Sequence, residues 1–218
     1  MKRMVERLSA VSLSVCFIVA LCPIASARQL SPDRRREQIT AAEALRRYEE
    51  RLQTTTEPVL RFNLTTKLAP TALAAGETEK AKAYANSLLQ QAANHDCHCN
   101  YGDAIHVGNL VLGQIALAAD DLPEAKRLLL EAGKSPGSPP LNSFGPNMLL
   151  AKDLLARGER EVVIQYFALC ARFWEHDRGR LEKWKAIVIN GGTPNFGANL
   201  VYQLSIWQVE DWANPRWR

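Results

Sequence analysis

The chain has 218 residues and a formal net charge of +4, and 47% of its residues are hydrophobic. The first 27 residues hold three basic side chains and one acidic side chain, so residues 28–218 carry a net charge of only +2. This composition lacks the concentrated basic face that nucleic-acid binding needs, and we expect no nucleic-acid partner. The length is sufficient for one domain with a substantial hydrophobic core.

The first 27 residues have the three regions of a secretory signal peptide. Three basic residues occur among the first seven, an apolar run follows to about residue 21, and small residues precede and include Ala27. We therefore expect cleavage after Ala27 and a periplasmic or secreted protein. The apolar run is shorter than the roughly 20 residues of a spanning helix, so an uncleaved anchor is disfavoured and we expect no stable membrane span. Lipidation at Cys22 is a further alternative, but Leu21 precedes it where a small residue is usual.

Residues 28–57 are predicted to form a helix in front of the main domain. Ser31-Pro32-Asp33 has the composition of a helix start, because proline is tolerated in the first turn. Apolar residues follow at helical spacing, at Ile39, Ala42, Leu45, Tyr48 and Leu52. This stripe indicates a helix with one buried face.

Three stretches of the chain align with one another without gaps. They are TTKLAPTALAAGETEKAKAYANSLL from Thr65, NLVLGQIALAADDLPEAKRLLLEAG from Asn109 and NMLLAKDLLARGEREVVIQYFALCA from Asn147. A turn interrupts each stretch at the same place, at Gly76, at Asp120-Asp121 and at Gly158. Apolar residues have helical spacing on both sides of the turn, so each stretch is predicted to be a helical hairpin.

The second helix of each hairpin is predicted to bury one face. In the third copy the buried stripe consists of Val163, Phe167, Cys170 and Trp174. Small residues stand where two helices would approach closely, at Ala81 and Ala125, with Val163 at that place in the third copy. A single hairpin cannot bury such a face alone, so the copies are expected to stack on one another.

The second copy resembles the tetratricopeptide repeat in its acidic turn and in the spacing of Gly113, Ala125 and Ala132. The other copies match at Ala69, Gly76 and Ala81 and at Ala151, Gly158, Val163 and Phe167. The copies begin 44 and 38 residues apart, whereas the family period is 34 residues, so insertions separate the repeats. The chain also resembles exported bacterial tetratricopeptide-like proteins that have no assigned activity. The resemblance implies an all-α, TPR-like solenoid of helical hairpins over residues 58–175, with flanking capping helices.

The sequence HDCHCN, from His95 to Asn100, is the densest cluster of metal-binding and redox-active side chains in the chain. One interpretation is a zinc or copper site with the thiolates of Cys97 and Cys99 and an imidazole from His95, His98 or His106 as ligands, although the paired CxxC motifs of structural zinc sites are missing. Another is a strained, reducible disulfide between Cys97 and Cys99. The third interpretation, which we favour, is a loop with idle thiols, and we expect no cofactor.

Asp103, His106 and Asn109 are spaced to lie along one side of the helix that follows this cluster. An acid beside a histidine can orient it as a general base. The sequence places no serine or cysteine nucleophile beside them, so we predict that the protein is not an enzyme. The alternative interpretation is a hydrogen-bonded polar cluster at a junction between repeats.

The segment from Lys134 to Asn147, KSPGSPPLNSFGPN, is the longest turn-rich insertion. Its prolines and glycines predict a shaped loop, and long loops in compact domains are often functional. Asn142, Phe144 and Asn147 are its candidate ligand contacts. The interpretation that we favour is structural, with Asn147 capping the next helix and Phe144 packed into the core.

Residues 176–218 are predicted to cap the repeats. A helix from about residue 177 to residue 190 would turn three apolar side chains inward, Leu181, Trp184 and Val188. The tail after it carries Trp207, Trp212 and Trp217. We interpret these rings as a cover for the exposed end of the solenoid or, alternatively, as glycan-binding side chains.

Together these patterns predict an exported protein–protein interaction module that binds a peptide or protein segment in the groove of the stacked first helices. The candidate contact residues are His106, Asn109, Asn142, Phe144 and Asn147. One alternative is a periplasmic thiol redox or metal-handling protein built on the HDCHCN cluster. The other is a cell-wall or glycan-binding module that uses the tryptophan tail.

Overall fold

Residues 39–94 and 101–201, which the computed structural model describes, form nine α-helices and one short 3-10 helix and contain no strand. The helices are α1 (Ala41–Thr54), α2 (Pro58–Ala74), α3 (Thr78–Asn94), α4 (Tyr101–Ala118), α5 (Leu122–Gly133), α6 (Pro139–Phe144), α7 (Leu149–Ala156), α8 (Arg160–Cys170), α9 (Arg180–Ile189) and the 3-10 helix Gly197–Leu200. The predicted all-α class is confirmed for this part of the chain. No helix within it is both long enough and apolar enough to cross a membrane. The signal segment with Ala27, the HDCHCN cluster and the tryptophan tail lie outside the described residues.

Several helices begin at capping residues that the sequence provides. At the start of α1 the Thr40 hydroxyl accepts a hydrogen bond from the Glu43 N–H at 3.2 Å. At the start of α5 the Asp121 carboxylate accepts one from the Glu124 N–H at 3.1 Å. The Glu57 carboxylate accepts bonds from the first free N–H groups of α2. Each cap satisfies donors that the beginning of a helix leaves unpaired.

Three helical hairpins occupy the positions of the three aligned stretches: α2 with α3, α4 with α5, and α7 with α8. The first helix of each hairpin ends in the same pair of backbone hydrogen bonds. In the first hairpin, the Gly76 N–H donates to the Leu73 carbonyl at 3.0 Å and the Glu77 N–H to the Ala72 carbonyl at 2.9 Å. The other two hairpins repeat this pair at Asp120 with Asp121 and at Gly158 with Glu159. This arrangement is the Schellman motif, which satisfies carbonyls at the end of a helix.

The residue that turns the chain has a left-handed backbone in all three hairpins. Its φ is 79° at Gly76, 60° at Asp120 and 84° at Gly158. Glycine adopts this conformation without a steric penalty, and aspartate tolerates it better than most residues do. The three turns therefore share their conformation as well as their place in the alignment.

Small or compact residues lie where the two helices of each hairpin meet, and Ala81, Ala125 and Val163 are fully buried, as predicted. Helix α3 also packs against α4, and α5 packs against α7 and α8, so consecutive hairpins contact one another. At Gly113 a Cβ atom would collide with the Leu150 side chain. Glycine at this position thus permits the close approach of α4 and α7.

The buried side chains form two hydrophobic clusters that share helix α4. The first cluster contains residues from α1, α2 and α3 together with Ala104, Val107 and Val111 of α4. The second contains residues from α5 to α9 together with Leu110 and Leu117 of α4. The predicted stripe of the third hairpin, Val163, Phe167, Cys170 and Trp174, lies in the second cluster and is buried throughout.

Helix α9 closes the second cluster with aromatic contacts, close to the predicted helix of residues 177–190. The ring centroids of Trp184 and Phe196 are 5.0 Å apart, and those of Trp174 and Trp184 are 5.7 Å apart. Arg180 places its guanidinium 4.5 Å from the Trp174 ring centroid. Trp184, together with Leu181 and Val188, faces inward as predicted.

The segment of residues 134–148 differs from the predicted loop. Pro139 and Pro140 form the first turn of the short helix α6, where we expected no helix. Proline is compatible with a first turn because the N–H groups there have no partner within the helix, so its missing N–H costs no hydrogen bond. Ser138 caps this helix by accepting a bond from the Leu141 N–H at 3.1 Å. The Phe144 side chain is 62% exposed, so the expectation that it packs into the core is wrong.

Candidate functional site

A shallow groove lies where the first helices of the three hairpins come together. Its lining residues are Pro70 from α2, Val107, Leu110, Val111 and Gln114 from α4, and Asn147 and Leu150 at the start of α7. Most of these side chains are apolar, and the polar groups are two amides. Such a surface, apolar with a few hydrogen-bonding groups, is typical of sites for peptides and small ligands.

Pro70 contributes an apolar wall to the groove and interrupts the hydrogen bonding of α2. Proline has no N–H, so the carbonyl of Thr66 one turn earlier lacks its usual helical donor. Lys67 lies on the same face of α2, three residues before Pro70. Burial lowers the pKa of Lys67, and the negative charge of Asp103 on α4 partly opposes that shift. Neither Lys67 nor Asp103 is among the residues that line the groove.

His106 is fully buried behind this groove and has both ring nitrogens engaged. Its Nδ1 lies 3.1 Å from the Ala132 carbonyl oxygen, and its Nε2 accepts a bond from the Asn147 N–H at 3.1 Å. A carbonyl can only accept and a backbone N–H can only donate, so the imidazole is neutral and carries its proton on Nδ1. Burial lowers the pKa of His106 to about 4. His106 thus joins the second hairpin to the start of the third and has no surface that a partner can contact.

Asn147 is the second centre of this internal network. Its carbonyl accepts a bond from the Tyr166 hydroxyl at 2.9 Å, and its Oδ1 accepts one from the Leu149 N–H at 2.8 Å. Its Nδ2 donates to the Leu200 carbonyl at 3.4 Å. The N-cap residue of α7 is Met148 rather than Asn147 as we expected, but the Asn147 side chain bonds the first N–H of that helix from one residue earlier. The same side chain lines the groove. Asn147 therefore connects the groove to the end of the described chain.

The other candidate contacts are dispersed. Asn109 is buried and donates from Nδ2 to the Ile105 carbonyl of its own helix at 2.8 Å. Asn142 accepts a bond from the Ser138 N–H at 3.2 Å and donates to Glu175 at 3.3 Å. Phe144 is exposed on the surface. Of the five residues predicted to contact a partner, only Asn147 lines the groove.

Asp103 and His106 do lie on the same buried side of α4, but the imidazole is engaged elsewhere. The Asp103 carboxylate accepts a bond from the Ser138 hydroxyl at 2.9 Å. Both nitrogens of His106 bond backbone groups instead. This arrangement agrees with the hydrogen-bonded cluster at a repeat junction, which was the alternative to a general base.

Within the described ranges, no three histidine, cysteine or acidic side chains lie close enough together to hold a metal ion. Cys170 is buried, and burial raises the pKa of its thiol, so it is an unreactive core residue. The predicted ligands Cys97, Cys99 and His98 lie in the segment that the structure does not describe.

The sequence interpretation missed most of the groove-lining residues, including Pro70, Val107 and Gln114. One available signal was α4 itself, where the run AIHVGNLVLGQIALA is apolar on every face. A helix of this kind is surrounded by others or lines a site. Comparisons with known protein families, with curated proteins and with solved structures gave no match.

Proposed function

We propose that the protein is an exported binding protein with a tetratricopeptide-like helical scaffold, and that it holds a segment of a partner protein in the groove between α2, α4 and α7. The signal-like first 27 residues support export to the periplasm or beyond. The three hairpins with a common turn support a repeat scaffold.

The groove is the observation that carries this proposal. Apolar side chains from three successive first helices surround it, and the Gln114 and Asn147 amides add polar groups. An extended peptide offers alternating apolar side chains and a row of backbone donors and acceptors. Apolar walls with a few amides suit both kinds of group.

Selection from a displayed peptide library tests the proposal directly. The immobilised wild-type protein is expected to enrich peptides, and Gln114→Trp, which fills the groove, should weaken their binding at least tenfold. Gln165→Trp is the matched control, because Gln165 is exposed on α8 and away from the groove lining. Gln114→Glu serves as a smaller change if the tryptophan variant fails to fold.

Two results would contradict the proposal. One is an absence of enriched peptides for the wild-type protein and for a variant whose tail tryptophans are replaced. The other is enriched peptides that bind wild type, the folded groove variant and the Gln165→Trp control equally well, since they would then bind another surface.

A further inference from the structure

The geometry points to an occupant for the groove: we propose that residues 202–218, the chain's own C-terminal segment, bind in it and must be displaced by an external segment. This inference rests on the proposed function, since it assumes that the groove accepts a peptide. It assigns a regulatory role to residues 202–218.

The place where the described chain ends is the first argument. The Leu200 carbonyl accepts a hydrogen bond from Nδ2 of Asn147, a residue that lines the groove. The preceding residue is held as well, because the Asn199 carbonyl accepts a bond from the Met148 N–H at 2.8 Å and its Nδ2 donates to the Pro146 carbonyl at 2.8 Å. Residue 202 is only the second residue after Leu200, so the C-terminal segment starts next to the groove.

The length of the segment is the second argument. Residues 202–218 comprise 17 residues, which reach about 55 Å when extended at roughly 3.3 Å per residue. The groove spans three neighbouring helices, or about 20 Å at helix spacings of roughly 8–10 Å. The segment is long enough to cross the groove without pulling Leu200 away from Asn147.

Chemical complementarity is the third argument. The segment YQLSIWQVEDWANPRWR carries three tryptophans among several aliphatic residues. An indole has a large apolar face and a single N–H donor. The groove offers apolar walls from Pro70, Val107 and Leu110 together with the Gln114 amide. A tryptophan ring in the groove would bury its apolar face against these walls and leave its N–H for the amide oxygen.

Tethering would make this occupant an effective competitor. A segment joined directly to the edge of its site has an effective concentration on the order of a millimolar. An external segment must then bind more tightly, or the tail must be released, before the groove is available. Replacing Trp207 and Trp212 by Ser should therefore increase the binding of an external peptide.

Photo-crosslinking in the full chain tests the proposal. Gln114, which lines the groove, is replaced by a diazirine-bearing amino acid of about the same size as glutamine so that the groove stays open, and Gln165 is replaced in the same way as the control. After irradiation, mass spectrometry is expected to find position 114 linked to residues 202–218, with a yield that does not change on dilution. The Gln165 control should give no such link. An equimolar mixture of isotopically light and heavy protein should give links within one chain only.

Links from position 114 that never include residues 202–218 would overturn the proposal. Links only between light and heavy chains would also overturn it, because they would indicate a second copy as occupant.

Hydrogen exchange provides an independent check without a photoactive probe, since the Trp207→Ser, Trp212→Ser variant should expose the amides at the groove side of α4. Equal exchange in the two proteins would count against the proposal. Library peptides that bind the groove without any tail crosslink would leave the proposed function intact while this inference fails. A tail crosslink in the absence of any library binder would support this inference and contradict the proposed function.

Discussion

His106 connects three distant parts of the chain through one neutral ring. Its Nδ1 reaches a carbonyl 26 residues away and its Nε2 reaches an N–H 41 residues away. The ring also stacks with Tyr166 at a centroid distance of 6.5 Å. A protonated Nε2 would lose its bond to Asn147 and place a charge in the core. The protein is therefore expected to resist protonation at this position, at a cost in stability at low pH.

The first prediction is an acid-dependent loss of stability that originates at His106. The pKa is about 4 in the folded protein, below the ordinary value of 6.5. Between these values the unfolded chain holds a proton that the folded chain does not, so the stabilisation is complete above pH 6.5 and is lost as the pH falls towards 4. The loss amounts to about 3 kcal/mol, which urea denaturation between pH 7 and pH 4 would measure.

The control for this prediction is His106→Gln. A glutamine amide can donate to one group and accept from another, as the imidazole does, but it does not titrate. The variant should lose this part of the pH dependence even if it is less stable at pH 7. An unchanged slope in the variant would show that other groups cause the acid sensitivity.

The second prediction concerns the hydroxyl of Tyr166. Tyr166→Phe removes the donor to the Asn147 carbonyl and leaves a buried acceptor with one bond fewer. We expect a loss of about 1–2 kcal/mol in the free energy of unfolding. Tyr84→Phe is the matched control, because Tyr84 donates to Glu49 at a partly exposed position. If chemical denaturation shows equal losses of stability for Tyr166→Phe and Tyr84→Phe, the buried bond to Asn147 stabilises the fold no more than a partly exposed bond does.

At the residue scale, the sequence predicted orientation better than contacts. The spacing of Asp103, His106 and Asn109 predicts that they lie along one side of a helix, and all three are buried residues of α4. It gave no information about what they meet, because Ala132, Ser138 and Asn147 lie on other elements. A carboxylate and a histidine at helical spacing have the same pattern in a catalytic site and in a structural junction. Only the tertiary contacts distinguish the two.

At the element scale, the hairpins could be predicted because local signals specify both their helices and their turns. The aligned turn residues Gly76, Asp120 and Gly158 share one left-handed conformation, which few residue types adopt readily. The segment of residues 134–148 was harder to predict. Proline is compatible with a loop and with a first helical turn, and the choice depends on contacts with α4, which the local sequence does not contain.

The third prediction tests the contact between α4 and this segment. A Cβ atom at Gly102 would collide with the backbone carbonyl of Gly137, and Gly102 also accepts a bond from the Ser135 hydroxyl at 2.8 Å. Alanine normally stabilises a helix by up to about 1 kcal/mol relative to glycine. Here we expect the reverse, and Gly102→Ala should cost about 2 kcal/mol because backbone must move.

Thermal or urea unfolding would measure this cost. Ala83→Gly at an exposed position of α3 calibrates the ordinary helix effect and should cost about 1 kcal/mol. A Gly102→Ala variant as stable as wild type would show that α4 and the 134–138 segment can separate without loss.

At the scale of the whole molecule, α4 is the element that joins the two hydrophobic clusters. It packs against α2 and α3 on one side and against α5, α6 and α7 on the other. The described residues, 39–94 and 101–201, all belong to one compact unit. Because α4 contributes buried residues to both clusters, loss of one cluster should propagate to the other through this shared helix.

The fourth prediction is that the two clusters unfold together. Leu68 is fully buried in the first cluster, and Leu68→Ala should cost about 2–5 kcal/mol. Helix α8 belongs to the second cluster. If α4 couples the clusters, the free energy of opening that hydrogen exchange reports should fall by the same amount for the amides of α8 as for those of α2. Leu60→Ala on the exposed side of α2 is the matched control and should change neither helix appreciably. Faster exchange confined to α1, α2 and α3 would show instead that the two clusters open independently, and α4 would then be a boundary between two folding units that share a groove.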